Sequence, residues 1–359
     1  MEEFDCRVKI VSGAGAVSKL ADFGARRLFV VTDPFFYKNG MAQQVATASK
    51  AESVEFFHDV RPDPTVELAA EGTAKLKAFG ADLIVALGGG SAMDCAKAMA
   101  FFAKEDTQLV AIPTTSGSGS EVTDFAVLTV NDTKHPLVDP ALQPELAILD
   151  SNLLTTLPRT LIADSGYDIL AHAVESYVAT GAGTVSRALA AEAVSVAGRL
   201  LPASFSGDTT VRQQIHLAAT MAGVAFSQSG LGLCHAIAHA LGGRFHLPHG
   251  RLNAILLPAV VEANAAANPH YAALSRAAGL GGTADAMAVR NLRNALCALR
   301  KQLQLPQTLA QAGVSPRDVA GAEQALIAAA LSDPCCSTNP VRPDGAMVQR
   351  VLQQVTGNG

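Results

Sequence analysis

Runs of lysine or arginine are missing from this chain of 359 residues, whose net charge is −5. Without a cationic patch there is no electrostatic footprint for nucleic acid or an anionic lipid surface, and neither is expected as a partner. No stretch of 18 apolar residues is free of charges or breakers, and the opening Met-Glu-Glu-Phe-Asp-Cys is acidic without the apolar stretch of an export signal. The expectation is a soluble protein of the cytoplasm that does not enter a membrane. A disulfide framework and a Cys-x-x-Cys pair are also missing: Cys6, Cys95, Cys234, Cys297, Cys335 and Cys336 are scattered. Reduced thiols are expected, and the adjacent Cys335 and Cys336, which join only under strain, are read as inert. Charged residues are few at 16%, and 49% of the chain is apolar, which excludes disorder and leaves enough material for two cores.

What is present divides in two. Residues 1–155 alternate short apolar runs with helix-period segments. Strands are expected at Arg7 to Ser12, Leu28 to Thr32, Val54 to His58, Leu83 to Leu87, Leu109 to Ile112 and Ala147 to Leu149. Helices are expected at Thr65 to Phe79 and at Ala92 to Lys104, with Ser91 and Asp94 spaced as a capping pair. That alternation implies an α/β domain on a parallel sheet. Residues 156–359 carry long Ala- and Leu-rich helical patterns, at Ala188 to Leu201, Val211 to Ala225, Leu252 to Ala267 and Val289 to Leu305, with no clear strand. An all-α second domain is expected there.

Two loops in the first part suit phosphates. The strand Leu83 to Leu87 runs into Gly88-Gly89-Gly90-Ser91 and then a helix start, where bare backbone and helix N–H groups attract a diphosphate. The second, Thr114-Thr115-Ser-Gly-Ser118-Gly-Ser-Glu121, again follows a strand and mixes hydroxyls with glycines. Two such loops on one sheet argue for a dinucleotide. Asp33, at the end of an earlier strand, is either a ribose-binding carboxylate that favours NAD over NADP or a turn aspartate before Pro34. It precedes the glycines, so the usual dinucleotide fingerprint is not present.

The second part concentrates histidine. Asp168 and His172 are four apart in Gly166-Tyr-Asp-Ile-Leu-Ala-His, on one helical face. His235 and His239 repeat that spacing, and His249 follows within Pro-His-Gly. One carboxylate with three imidazoles suits Fe(II) or Zn(II), since it holds no thiolate and too few oxygens for Mg or Ca. A catalytic metal needs an open position, so Asp168, His172, His235 and His249 are the expected ligands and His239 stands beside them. His58, His135, His216 and His270 lack such company, and His246 supports the ligands at most.

Taken together, Gly88-Gly-Gly-Ser91-x-x-Asp94, Thr114-Thr-x-Gly-x-Gly-Ser-Glu121, Gly166-x-Asp168-x-x-x-His172, His235-x-x-x-His239 and Pro248-His249-Gly250 resemble the iron-containing (group III) alcohol dehydrogenases. Within that family the wording is closest to the propanol dehydrogenases of propanediol-utilising microcompartments and their ethanolamine-pathway counterparts. The resemblance implies a dehydroquinate synthase-like architecture with NAD and a divalent iron held between the two domains. Asp168, His172, His235 and His249 match the metal ligands. Asp33, Gly89, Gly90, Ser91, Asp94, Thr114, Thr115, Ser118 and Lys134 match the cofactor contacts, Lys134 on the ribose side. His239 matches a pocket histidine and Phe226 a residue of the apolar substrate wall. Ser118 stands where threonine is usual, and Tyr167 replaces a common methionine, which is expected to alter the pocket edge. Asn339-Pro-Val-Arg342 is one residue longer than the family pattern.

The expected reaction is hydride exchange between NAD(H) and a short primary alcohol or aldehyde, such as propanal or ethanal, in the direction that regenerates NAD. His239 is the expected proton relay. Cations near the histidines are scarce, which disfavours a strongly anionic substrate. A homodimer is implied, with the cytoplasm or a bacterial microcompartment and its components as the setting, although no extended helix ahead of Arg7 marks an encapsulation peptide. The alternatives are a zinc-dependent polyol or glycerol dehydrogenase, a dehydroquinate synthase-like lyase, and a non-catalytic scaffold.

Overall fold

Short apolar runs bounded by glycine and polar residues pair into a sheet, and residues 6–157 form a unit around it. The computed structural model describes residues 2–104, 107–131 and 133–357. Its strands are β1 Lys9–Ser12, β2 Arg27–Val31, β3 Ser53–Phe57, β4 Leu83–Gly88, β5 Gln108–Pro113, β6 Phe125–Val130, β7 Thr133–Val138 and β8 Leu146–Leu149. Six of them make one parallel sheet in the order β1-β8-β5-β4-β2-β3. Helices α1 Pro34–Lys38, α2 Met41–Ser49, α3 Val66–Phe79 and α4 Gly90–Ala103 alternate with the strands.

The strand β4, Leu-Ile-Val-Ala-Leu-Gly, is buried throughout. Its alternate residues Leu83, Val85 and Leu87 join Leu28, Val30 and Ile112 against Val45 of α2 on one face. Ile84 and Ala86 join Phe29, Leu76, Met93 and Met99 on the other. Helical cover on both faces explains why the strand reads as an unbroken apolar run. From β2 the chain steps outward to β3 and then returns to place β4 on the opposite side of β2. Chain order therefore reverses between β2 and β4, where open α/β sheets take ligands beyond their strand carboxyl ends.

Two features depart from expectation. The capping pair does not form: α4 begins two residues earlier than expected, at Gly90, with Gly89 as its N-cap and no side-chain cap. Asp94 instead accepts from the Ser120 hydroxyl (2.7 Å) and the Val127 N–H (3.1 Å). The antiparallel hairpin of β6 and β7 was also not foreseen. Pro136 and charged Lys134 disguise β7 as a loop, a pattern tolerated because the hairpin stands outside the main sheet.

Residues 158–357, with residues 2–5, form the second unit. Its helices are α5 Arg159–Val178, α6 Thr184–Phe205, α7 Arg212–Ser229, α8 Leu233–Phe245, α9 His249–Ala265, α10 His270–Ala277, α11 Asp285–Gln302, α12 Pro316–Ser332 and α13 Gly345–Thr356, and no strand occurs there among the described residues. By length and composition alone α6 could cross a membrane, but half of its apolar window is buried within the unit. The boundary lies at Leu157 and Pro158 rather than at 155 and 156, and the first residues belong with the second unit. The Glu2 carboxylate accepts from the Thr184 N–H (2.9 Å), and the Asp5 N–H donates to Gln228 (3.2 Å).

Lys97 ties α4 to the segment that leads into the hairpin. Its buried ammonium donates to the Ser120 hydroxyl (3.2 Å) and to the Thr123 carbonyl, the Thr123 hydroxyl and the Phe125 carbonyl, each at 2.9 Å. Burial pulls its pKa down to about 8, against the opposing pull of Asp94. Removing the ammonium strands those oxygens, so Lys97→Met is expected to cost about 3 kcal/mol. A lower urea midpoint and faster amide exchange at Val127 are the readouts, and an unchanged midpoint would refute the assignment.

Candidate metal and nucleotide sites

In the first unit the two expected phosphate loops and Asp33 meet at the strand carboxyl ends. Gly88, at φ +154°, turns β4 towards α4, and a Cβ there would press on Ala92 at 2.6 Å and lie 3.9 Å from Asp33 Oδ2. Cβ atoms on Gly89 and Gly90 would lie 3.3 Å from Thr115 Oγ1 and 3.3 Å from Ser118 Cβ. Both loops and Asp33 therefore border one place, with the N-terminus of α4 beside it. Asp33 is also the turn residue that spacing allowed: its Oδ1 caps α1, accepting from Phe35 (2.8 Å) and Phe36 (3.0 Å). Only Oδ2 faces Gly88. Thr114 is fully buried, whereas Lys134 is exposed on β7 and paired with Asp63 at 2.6 Å. Asp94, with both oxygens engaged, positions the second loop and the hairpin.

In the second unit three helices carry the four expected ligands. Asp168 and His172 lie one turn apart on α5, His235 is in the first turn of α8, and His249 opens α9. A Cβ on Gly250 would run into the Asp164 carbonyl, so glycine lets the start of α9 press against α5. One donor atom from each of Asp168, His172, His235 and His249 falls within 4.8 Å of the others.

The start of α8 is fixed by a residue that sequence reasoning missed. Buried Glu175, one turn beyond His172, accepts from the N–H groups of Gly232 (3.0 Å), Cys234 (2.6 Å) and His235 (3.2 Å) and from His235 Nδ1 (2.7 Å). It satisfies the unpaired donors of a helix N-terminus and places negative charge there. It also holds the proton of His235 on Nδ1, so Nε2 turns its lone pair to the site. Burial raises the Glu175 carboxyl to about 7, opposed by those N–H donors. Burial also holds His235 well below the usual imidazole range, with the neighbouring His172, His249 and His239 adding to the effect. The His235 ring is therefore neutral at pH 7.

Asn253, one turn beyond His249, was also missed. Its buried amide nitrogen lies 2.7 Å from Asp168 Oδ1, 3.1 Å from His249 Nε2 and 3.3 Å from His235 Nε2. An amide has two hydrogens, and a carboxylate oxygen and two ring nitrogens converge on it, each of which offers a lone pair when both rings carry their hydrogen on Nδ1. Such an excess of inward-facing lone pairs fits a cation, and an O,N,N,N set fits Fe(II) or Zn(II).

His239 lies outside that set. Half-exposed, it stacks on His249 with ring centroids 5.2 Å apart, and its Nδ1 meets Asp333 Oδ2 at 2.8 Å. Burial raises the Asp333 carboxyl, but the hydrogen bond and charge of His239 and the Cys335 N–H outweigh it and hold the group below its ordinary range. Phe226 is buried and stacks on His172 at 4.6 Å. Tyr167 does not shape the site edge: it is fully buried, with its hydroxyl donating to the Leu296 carbonyl (3.1 Å) of α11, because adjacent helical residues face different directions. His246 is exposed and ends α8 in a left-handed conformation. Asn339 has a structural role, with Oδ1 accepting from the Leu233 N–H (3.0 Å) at the start of α8.

Comparison with known proteins agrees with this geometry. The model of the family "Iron-containing alcohol dehydrogenase" matches residues 8–151, and that of "Fe-containing alcohol dehydrogenase family, C-terminal" matches residues 162–356. The chain is 36% identical to the 1-propanol dehydrogenase PduQ of Citrobacter freundii, over 99% of this chain and 100% of that protein. It is 34% identical to an NADPH-dependent butanol dehydrogenase of Clostridium saccharobutylicum, over 99% and 98%. Among solved structures, an iron-containing alcohol dehydrogenase of Thermococcus thioreducens superposes with a TM-score of 0.91 at 30% identity, covering 98% of this chain and 99% of that one. A sulfoacetaldehyde reductase of Bifidobacterium kashiwanohense in complex with NAD+ gives 0.91 at 25%, covering 100% of both.

Glu175→Gln removes the charge that orients His235 and sets an amide among backbone donors. Affinity for a divalent metal is expected to fall roughly 10- to 100-fold. Competition with a chromophoric chelator measures it, and wild-type affinity in the variant would contradict the orienting role.

Proposed function

The chain belongs to the iron-containing alcohol dehydrogenase family, and from that premise we propose that it interconverts short aldehydes such as propanal and ethanal with their primary alcohols, using NAD(H) and divalent iron and running to regenerate NAD. The observation that carries this reading is the convergence of Asp168, His172, His235 and His249 around one point. When bound there, iron supplies Lewis acidity towards a carbonyl or alcohol oxygen, and the dinucleotide supplies or accepts the reducing equivalent.

The chain's own residues do the rest. Asp168 offers an oxygen, and the histidines offer neutral ring nitrogens. A carboxylate can only accept, so Asp333 keeps a hydrogen on His239 Nδ1 and leaves Nε2 to exchange a proton with the substrate oxygen. Phe226, stacked on His172, gives the substrate chain an apolar face. Arg251, a cation of the histidine segment, is held by Asp164 through contacts of 2.9 and 3.1 Å, which supports a neutral substrate. In the first unit Gly89, Gly90 and Ser91 receive the diphosphate at the start of α4, with Thr114, Thr115 and Ser118 alongside and Lys134 on the ribose side.

Asp33 supports NAD over NADP, since its Oδ2 beside Gly88 would bond a ribose diol and repel a 2′-phosphate. The family resemblance extends the proposal to a homodimer, in the cytoplasm or a microcompartment.

Anaerobically purified protein is expected to carry iron and to oxidise NADH with ethanal, propanal, lactaldehyde and butanal, but not to oxidise glycerol. Turnover on glycerol with bound zinc would favour a polyol dehydrogenase instead. His249→Ala is expected to lose metal and rate together, and full rate without metal would overturn the proposal. Asp33→Ser is expected to narrow the kcat/KM preference for NADH over NADPH by about tenfold, roughly 1.4 kcal/mol. An unmoved ratio would leave Asp33 as a helix cap alone.

A further inference from the structure

The short turn Pro334–Thr338 follows α12 and is capped by Asp333, whose Oδ1 accepts from the Cys335 N–H at 2.9 Å. That bond fixes the carboxylate and turns Oδ2 to His239 Nδ1 at 2.8 Å. One nitrogen, one oxygen and the Cys335 sulfur thus lie within 4.8 Å of one another, separate from the Asp168 set. Two donors come from Asp333-Pro-Cys335, and the third comes from α8, one turn beyond His235.

We propose that His239, Asp333 and Cys335 form a second metal site, for a zinc-class divalent cation, whose filling withdraws His239 from proton exchange. A tetrahedral zinc with bonds of roughly 2.0–2.3 Å sets its ligand atoms about 3.3–3.7 Å apart, within side-chain torsional reach of this cluster. The donors also sort the metals. The Asp168 set has no sulfur and suits iron, whereas the Cys335 sulfur, a thiol that burial keeps protonated until a metal displaces its proton, selects the softer ion beside an imidazole. His239 is half-exposed, so a fourth ligand on that side would come from solvent. The zinc holds Nδ1, where Asp333 otherwise keeps a hydrogen, so the ring loses the tautomer that the relay uses. Metal binding stands on the geometry alone, while inhibition rests on the dehydrogenase reading.

The test uses iron-loaded, full-length protein titrated with Zn(II), with metal content measured after desalting, and Co(II) as the spectroscopic probe. The expected result is an additional equivalent of metal with iron retained, a thiolate-to-cobalt charge-transfer band, and at least about tenfold inhibition of aldehyde reduction. Cys335→Ser and Cys335→Ala are expected to keep the iron but to lose the band and the zinc equivalent, with inhibition read against each variant's own zinc-free rate. Cys336→Ser should behave as wild type. No additional equivalent and no band in wild type, or zinc binding undiminished in both Cys335 variants, overturns the site. Zinc bound with its band but without inhibition upholds the site and removes His239 from the relay, whereas iron-loaded protein without any aldehyde reduction strikes the dehydrogenase reading alone.

Discussion

One buried carboxylate organises the metal centre. Glu175 meets the unpaired N–H groups at the start of α8 and the ring of His235 at once. A helix end without such a partner would leave backbone donors stranded in an apolar interior. A ligand imidazole without it would be free to turn or to exchange tautomers. Because Glu175 shares α5 with Asp168 and His172, the helix that brings two ligands also aims the third. Asn339 completes the arrangement by holding Leu233, so the position of His235 depends on residues more than fifty positions away on either side.

Much of this could be read along the chain. The strand and helix alternation of the first unit follows from apolar runs of strand length, and the meeting of the two glycine- and hydroxyl-bearing loops follows from their place after strands. The expected metal ligands Asp168 and His172 emerge from spacing, since i, i+4 pairs share a helix face. The same step reaches Asn253 from His249, and an i, i+3 step reaches Glu175 from His172. Yet a glutamate and an asparagine in a helix are so often surface residues that spacing alone does not single them out.

Other features depend on contacts that sequence order hides. Asp94 has the right spacing for a helix cap, yet a hydroxyl and an N–H from beyond the next strand claim both its oxygens. Tyr167 is next to a ligand in sequence but a hundred degrees around the helix from it, and so it reaches α11. The partnership of His239 with Asp333 joins residues 94 positions apart, and no local pattern announces it. Residues 2–5 hold no apolar period at all and are placed by two hydrogen bonds to the helical unit.

That last arrangement makes the order of units in space different from the order in sequence. The chain starts on the helical body, leaves to build the sheet, and then returns. A single protease cut near Pro158 would therefore leave residues 2–5 on the fragment that carries the sheet and part them from the helices they bond. Dissecting the protein calls for rejoining the opening residues to the helical part, as a circular permutant would.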